Sequence, residues 1–410
     1  MTGYLIELRR TPVRWFAAPL LAASLALVFL VGEDWQGSWP ETSAAATRAG
    51  IPLVIGAVGL AAHRTSQLRR SGVDVLLSAR PLPAVEGARL AADASWLSGV
   101  YLVSTAVTWA MTVGAPGAPW PEYPLFGVAG IVFAVALGYV AGCLLPSRFT
   151  GAAAAVAGFA LFGMVVDTQS SPLAHSLFHQ SIGLRLSSAH LGWRIALAVL
   201  AVGAAVTVGQ AVAEGRRRRA ALVPGTAFCV LTLLAVAVSP GNGSSLQEHR
   251  TPSATACAPA DDGTVCVWPE HEPRLPEAVA AVGKMRAVSA NVLSLPERFT
   301  EDGLNGPGAG GFTLDHGAGA LLDSLAAETT NALWPQCGRE EDAVLERRSA
   351  AAVKLNSWLD SRARGSRTPA SYDLVGDAAD PAEVKRVLGR PVPEQTPYVR
   401  RWAGVLAAPC

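Results

Sequence analysis

Few residues in this chain combine the type and the spacing that chemistry needs. His271-Glu272 has the first half of a zinc-peptidase signature, which requires a second histidine three residues past the glutamate on the same helical face. Leu275 stands at that position, and Pro273 and Pro276 would interrupt the helix. Hydrolysis by that route is excluded. His175 and His179 have the i,i+4 spacing that lets two imidazoles share a metal. No cysteine lies nearby and Asp167 is the local carboxylate, so surface histidines in a loop are the simpler account. Gly308–Gly311 with Asp315 and His316 is rich in glycine but lacks the lysine of a phosphate-binding loop. A Gly-x-Ser-x-Gly elbow is absent as well. The expectation is a protein that is not an enzyme, with no catalytic residue, no metal and no cofactor.

The cysteines carry more. Cys257 and Cys266 flank an Asp-Gly turn between short apolar runs, the pattern of a hairpin whose strands bring two thiols to bonding distance. Cys143 and Cys229 lie in long apolar runs and read as small fillers, which leaves Cys337 and Cys410 to pair by elimination. Such bonds persist outside the cytoplasm. Directly after the hairpin comes Trp268-Pro269-Glu270-His271, the densest polar-aromatic cluster in the sequence and a candidate extracytoplasmic motif.

Those residues need a scaffold, and composition says what kind. Half of the 410 residues are hydrophobic and 16% are charged, against about 25% charged in a soluble domain. Mean hydropathy is +0.31. Seven apolar segments can be read, at about Val13–Val31, Ala49–Ala62, Ala92–Val113, Leu125–Leu145, Gly151–Val166, Leu191–Ala213 and Ala220–Val238. The second and fifth are short and rich in alanine and glycine. Arg9, Arg10 and Arg14 before the first run resemble the charged start of a signal peptide, but Gly32-Glu33-Asp34 offers no small-residue cleavage site. A retained first span is expected. No Asp, Glu or Lys falls at the middle of any span, which counts against an ion-coupled carrier. Glycines at 127, 130, 138 and 142 permit close helix packing in the fourth span.

Arginine placement sets the expected orientation, because basic residues are retained on the cytoplasmic side. The chain has 30 arginines and three lysines, Lys284, Lys354 and Lys385. With the N-terminus inside, cytoplasmic segments hold 13 arginines and the outer loops of that half hold three, Arg48, Arg185 and Arg194. Arg216, Arg217, Arg218 and Arg219 before the seventh run are the strongest determinants of topology. The fold expected is a polytopic α-helical membrane protein of about seven spans over residues 1–240. A small α+β, mostly helical, extracytoplasmic domain follows over residues 241–410. There a hairpin would sit beside helices at Glu277–Leu295 and Arg339–Ser361 and a helix start at Asp380-Pro381. The cytoplasmic segment His63–Leu90 reads equally as a surface helix, with Val73, Val75, Leu76 and Leu77 among arginines, or as an ordinary basic loop.

The membrane half resembles the permease subunits of type-2 ABC exporters from actinobacteria. The residues that carry the likeness are Glu7-Leu8-Arg9-Arg10-Thr11-Pro12, the basic segment Arg64–Arg70, and Ala79-Arg80-Pro81-Leu82-Pro83 before the third span, within about residues 1–215. The resemblance implies a cell-membrane protein that pairs as a homodimer or with a second permease and is driven by a separate cytoplasmic ATPase. The docking residues it implies are Arg64, Arg69, Arg70 and Arg80. The chain departs from that pattern in having a seventh span and an outer C-terminus. Its outer half is similar to the C-terminal domain of some actinobacterial membrane proteins of uncharacterised function, through Val265–His271. Expected partners are the ATPase, a permease subunit and membrane lipid, and no nucleic acid. The function expected is an exporter permease with an extracytoplasmic accessory domain; the alternative is a membrane-anchored binding or sensing protein that transports nothing.

Overall fold

The computed structural model describes residues 2–31, 35–71, 82–115, 117–163, 182–213, 246–252, 255–260, 263–290, 292–305, 311–314, 317–335, 337, 341–369 and 381–410. The chain divides into two compact units, 1–180 with 184–248, and 181–183 with 249–410.

Unit 1 is built from helices. Helix α1 (Thr2–Arg10) ends at Thr11-Pro12, where proline halts it. The helices α2 (Val13–Leu30), α3 (Trp39–Arg48), α4 (Gly50–Ser71), α5 (Leu82–Ala110), α6 (Glu122–Leu144), α7 (Thr150–Gly158) and α8 (Ser188–Ala213) follow. Pro40 opens α3 at a position where its missing N–H costs nothing. Among the described residues, five segments are long and apolar enough to cross a membrane: Val13–Leu30, Trp39–Ser71, Ala84–Ala110, Glu122–Leu144 and Ser188–Val212. The short second run of the sequence is therefore part of a segment of 33 residues formed by α3 and α4. The fifth run forms a shorter apolar helix, Thr150–Phe162, with a π-helical turn at Phe159–Gly163. The seventh run, with Arg216 to Arg219 before it, lies outside the described residues, as do His175 and His179. Of His63–Leu90, residues 63–71 continue α4 and residues 82–90 belong to α5, so its described ends extend the spans. Val73 to Leu77 lie outside the described residues.

The core of unit 1 is rich in small residues, among them Ala57, Ala61, Ala134, Ala136, Ala201 and Ala205, packed with larger ones such as Tyr101, Phe133 and Phe162. Glycine lets the helices touch backbone to backbone. A Cβ at Gly138 of α6 would collide with the carbonyl of Val58 in α4, and one at Gly142 would lie 2.6 Å from the Ala62 carbonyl. In lipid, where apolar side chains gain little by leaving the solvent, such contact is what draws helices together.

Unit 2 has a different core. Strands β3 (Ala256–Ala260) and β4 (Gly263–Val267) form an antiparallel hairpin, and β5 (Arg298–Thr300) pairs with β4 in parallel. Asp262 of the expected turn lies outside the described residues; Gly263 opens β4 opposite Ala260. A 3₁₀ segment, Pro269–Arg274, leads into α9 (Leu275–Ser289). Then come α10 (Gly317–Asn331), α11 (Asp342–Ala363), α12 (Pro381–Leu388) and α13 (Val392–Leu406). Val265, Val267, Phe299, Phe312, Met285, Leu355, Trp358 and Trp402 are buried together between sheet and helices. The α+β reading of this region agrees with that arrangement. Two further short strands, β1 (Leu184–Leu186) and β2 (Gln247–His249), pair with each other.

Candidate functional site

At one end of unit 1, six charged side chains from three helices gather, and uncharged groups of α6 and α8 join them. From α4, Arg64 reaches Asp93 of α5 through Nη1 and Glu7 of α1 through Nη2, both at 2.5 Å. The hydroxyl of Thr11, just past α1, donates to the same Asp93 oxygen at 2.5 Å. One helical turn further along α4, Arg69 donates to the Gly209 carbonyl of α8 at 2.9 Å and lies 3.4 Å from Glu86 of α5. Glu86 also meets Arg89 at 3.3 Å and accepts the hydroxyl of Tyr139 from α6. Cys143, a buried free thiol, lies 3.8 Å from Arg69 Nη2.

Three acids and three arginines thus balance, and all are largely shielded. The side chains of Arg64, Arg69 and Arg89 are 10%, 8% and 7% exposed, and that of Glu86 is 2% exposed. A charge withdrawn from water is stable only with such partners, and removing one partner strands the other. Two more bonds tie α1 to α5: Trp96 Nε1 donates to the Leu8 carbonyl at 2.9 Å, and Tyr4 to Ser95 at 2.9 Å. Mechanically the cluster is a set of struts between helices.

The sequence reading expected Arg64 and Arg69 to face a partner. Both turn inward, because carboxylates on α1 and α5 satisfy them, and this removes them from the exposed surface. Arg70 is exposed. Arg80 lies outside the described residues. Sequence reasoning missed Glu7, Glu86 and Asp93 as the partners. Glu86, Arg89 and Asp93 stand at i, i+3 and i+7, one helical face, and that spacing was the signal available.

In unit 2 the Trp268-Pro269-Glu270-His271 stretch forms a second polar cluster. Trp268 is buried, its indole donating to the Asp302 carbonyl at 2.9 Å and its amide to Glu301 at 2.9 Å. His271 Nδ1 lies 2.5 Å from the other Glu301 oxygen, and both residues are buried. Arg250 stacks 4.2 Å from the Trp268 ring and bonds Glu270 at 2.6 Å. Gly303, at φ 81°, takes the left-handed turn beside this cluster that a side chain would strain. Glu301 and Arg250 carry the motif as much as its four residues do, and neither was singled out in the sequence.

The cysteines pair as expected. Cys257 and Cys266 face each other across the hairpin with Cα atoms 4.1 Å apart, and Cys337 meets Cys410 at 5.7 Å. Elsewhere in this unit, burial raises the carboxyl pKa of Glu328, with Asp302 adding to the shift. Burial also raises that of Asp360, opposed by Arg364. The Lys354 hydrogen bond lowers that of Glu383. Among the described residues, no cluster of three or more histidines, cysteines or carboxylates could hold a metal.

Residues 265–408 match a family model described as Domain of unknown function (DUF7224), which spans most of unit 2. No curated protein and no solved structure matches the chain.

Proposed function

We propose that the chain is a permease-like subunit of an ABC-type exporter. Unit 1 forms the membrane pathway with a separate cytoplasmic ATPase and pairs with a second permease subunit, and unit 2 is an extracytoplasmic accessory domain. The observation that carries this reading is the strut cluster. Arg64 and Arg69 lie on the last two turns of α4, directly before the segment that joins α4 to α5, and they grip α1, α5 and α8. A partner pressing on that segment would move several helices together, which is what coupling to ATP hydrolysis requires.

Direction along the helices supports the topology proposed. The start of α2, the end of α4, the start of α5 and the ends of α6 and α8 all lie at the strut end of the bundle, and Gly151 near the start of α7 abuts His63 there. That end is the cytoplasmic one in this reading, with the N-terminus inside. Disulfides are compatible with unit 2 outside. A reporter fused after Pro240 is expected to be active only if it works outside the cytoplasm.

The alternative is a membrane-anchored binding or sensing protein. Its support is the separate core of unit 2, stapled by two disulfides. Co-expression of the tagged chain with an ATPase encoded beside it separates the two readings. Stoichiometric co-purification and ATP hydrolysis that needs both proteins are expected for the exporter. ATP hydrolysis by the chain alone, or an ATPase that never co-purifies, overturns it.

A further inference from the structure

The struts leave charge over. Beside them, α1, α4 and α5 border a cleft of about 700 Å³, lined by Arg10, Arg64, Arg70 and Arg89 with Gln67 and Ser71. Among the described residues, Glu7 is the one acidic residue in its wall, and Arg64 already engages it. Arg89 is held by Glu86. Arg10 and Arg70 are exposed and meet no carboxylate among the described residues. Four arginines line one space, two of them exposed and two fixed by buried struts, and such a concentration of positive charge suits a planar or tetrahedral oxyanion.

The surroundings of the cleft narrow the choice of anion. Its wall includes Pro12, and the apolar helix α2 begins at the next residue. Trp15 and Phe16, 73% and 47% exposed, lie within the first turn of α2, with the Arg14 guanidinium 4.9 Å from the Trp15 ring. Aromatic residues of that kind mark the boundary between hydrocarbon and headgroups. Helix α1 exposes Leu5 and Ile6 as well as Arg9 and Arg10, the composition of a helix lying in the interface. Apolar surface thus gives way to charge at the level of the cleft.

We infer that the cleft binds the phosphate of an anionic membrane lipid, with Arg10 and Arg70 as the open arms of the site and Arg64 and Arg89 as its fixed floor. A phosphate group could also come from solution, and an acidic segment of a protein would carry the same charge. The position beside exposed Trp15 and Phe16 favours the lipid. This inference needs unit 1 in a membrane and is independent of any ATPase.

The test uses the purified full-length chain in nanodiscs of phosphatidylcholine alone, or of phosphatidylcholine and phosphatidylglycerol in equal parts. Lipid retained after extraction into detergent is counted by native mass spectrometry. Retention of phosphatidylglycerol over phosphatidylcholine is expected, falling roughly thirtyfold in affinity for the double variant R10Q/R70Q, since each basic side chain near an anionic surface contributes about a fivefold factor. The single variant R148Q, at an exposed arginine outside the cleft, is expected to bind as the native protein does. Unchanged alkylation of Cys143 in R10Q/R70Q shows that the bundle is intact. Equal retention of the two lipids, equal loss in R148Q, or displacement of the lipid by millimolar inorganic phosphate would overturn the assignment. So would blockade of the site by an acidic peptide with no lipid retained.

Discussion

The two units are held together in contrasting ways. In unit 1 the pairs join distant parts of the chain: Glu7 with Arg64, Arg64 with Asp93, Arg69 with the Gly209 carbonyl. The core around them is largely alanine, valine and glycine packed backbone to backbone. Aromatic side chains are buried in both units, Tyr101, Phe126 and Phe162 in unit 1 and Trp268, Phe299, Phe312, Trp358 and Trp402 in unit 2; what unit 2 adds is covalent bonds at the hairpin and the C-terminus. Unit 1 has five segments long and apolar enough to cross a membrane among the described residues, and the difference is the one a lipid surround would impose. Where water surrounds a domain, burying large apolar side chains drives folding. Where lipid surrounds the helices, apolar burial discriminates little, so close contact and polar pairs must choose which helix faces which.

The contrast can be broken most sharply at Arg64. Replacing it with alanine leaves Glu7 and Asp93 without their common partner, at a cost of about 3–5 kcal/mol. Thermal unfolding in detergent is expected to begin at lower temperature, and Cys143, buried in the native bundle, is expected to become reactive to alkylating reagents. A variant as stable and as protected as the native chain would show that packing alone sets the helix register of unit 1.

Unit 2 is tested through its cysteines. The Cys337–Cys410 bond closes a loop with a sequence separation of 73 and the Cys257–Cys266 bond one of 9. In the chain-entropy account the first contributes about 4 kcal/mol and the second about 2.6 kcal/mol. Serine replacement of each pair is expected to lower the unfolding midpoint of unit 2 in that order, while leaving Cys143 protected. Mass mapping of non-reduced peptides checks the pairing itself; a Cys257–Cys337 link would contradict it.

The smallest expected effect is on pH dependence. The folded pKa of Glu383 is lowered, mainly by its hydrogen bond to Lys354. Its contribution is therefore present above the ordinary glutamate value of 4.5 and lost as pH falls through the folded value. Asp360 has the opposite sign, because burial raises its pKa from 3.8. Its contribution is complete below 3.8 and is lost as pH rises through the folded value. Glu383→Gln is expected to flatten the acid loss in an unfolding titration, and Asp360→Asn to flatten the decline above it. An unaltered acid limb in Glu383→Gln would remove the Lys354 pair from the account.

Much of the framework was legible because it rests on local properties. Long apolar runs specify helices wherever they occur, and five of those read from the sequence became segments long enough to span. Glycines at 127, 138 and 142 signalled close packing, and each does abut a neighbouring helix. The cysteine pairs followed from a turn and from elimination. Attention to the centres of the spans passed over Glu86 and Asp93, which are buried in the first half of α5. The basic run His63–Leu90, read equally as a surface helix or as a loop, is at both described ends continuous with the long helices α4 and α5, where groups on other helices supply the partners that water would otherwise provide.

The sequence by itself determined that a membrane-type half precedes a disulfide-stapled half, because hydropathy and cysteine spacing act over tens of residues. Only the tertiary structure decided which carboxylate meets which arginine. Arg64 and Arg69 are chemically alike and one turn apart on α4, yet one is claimed by Glu7 and Asp93 and the other by Glu86 and Gly209. Coulomb attraction selects partners by distance in space, and the partners of Arg64 lie 57 and 29 residues away along the chain. Such pairings come into existence only when the helices have packed.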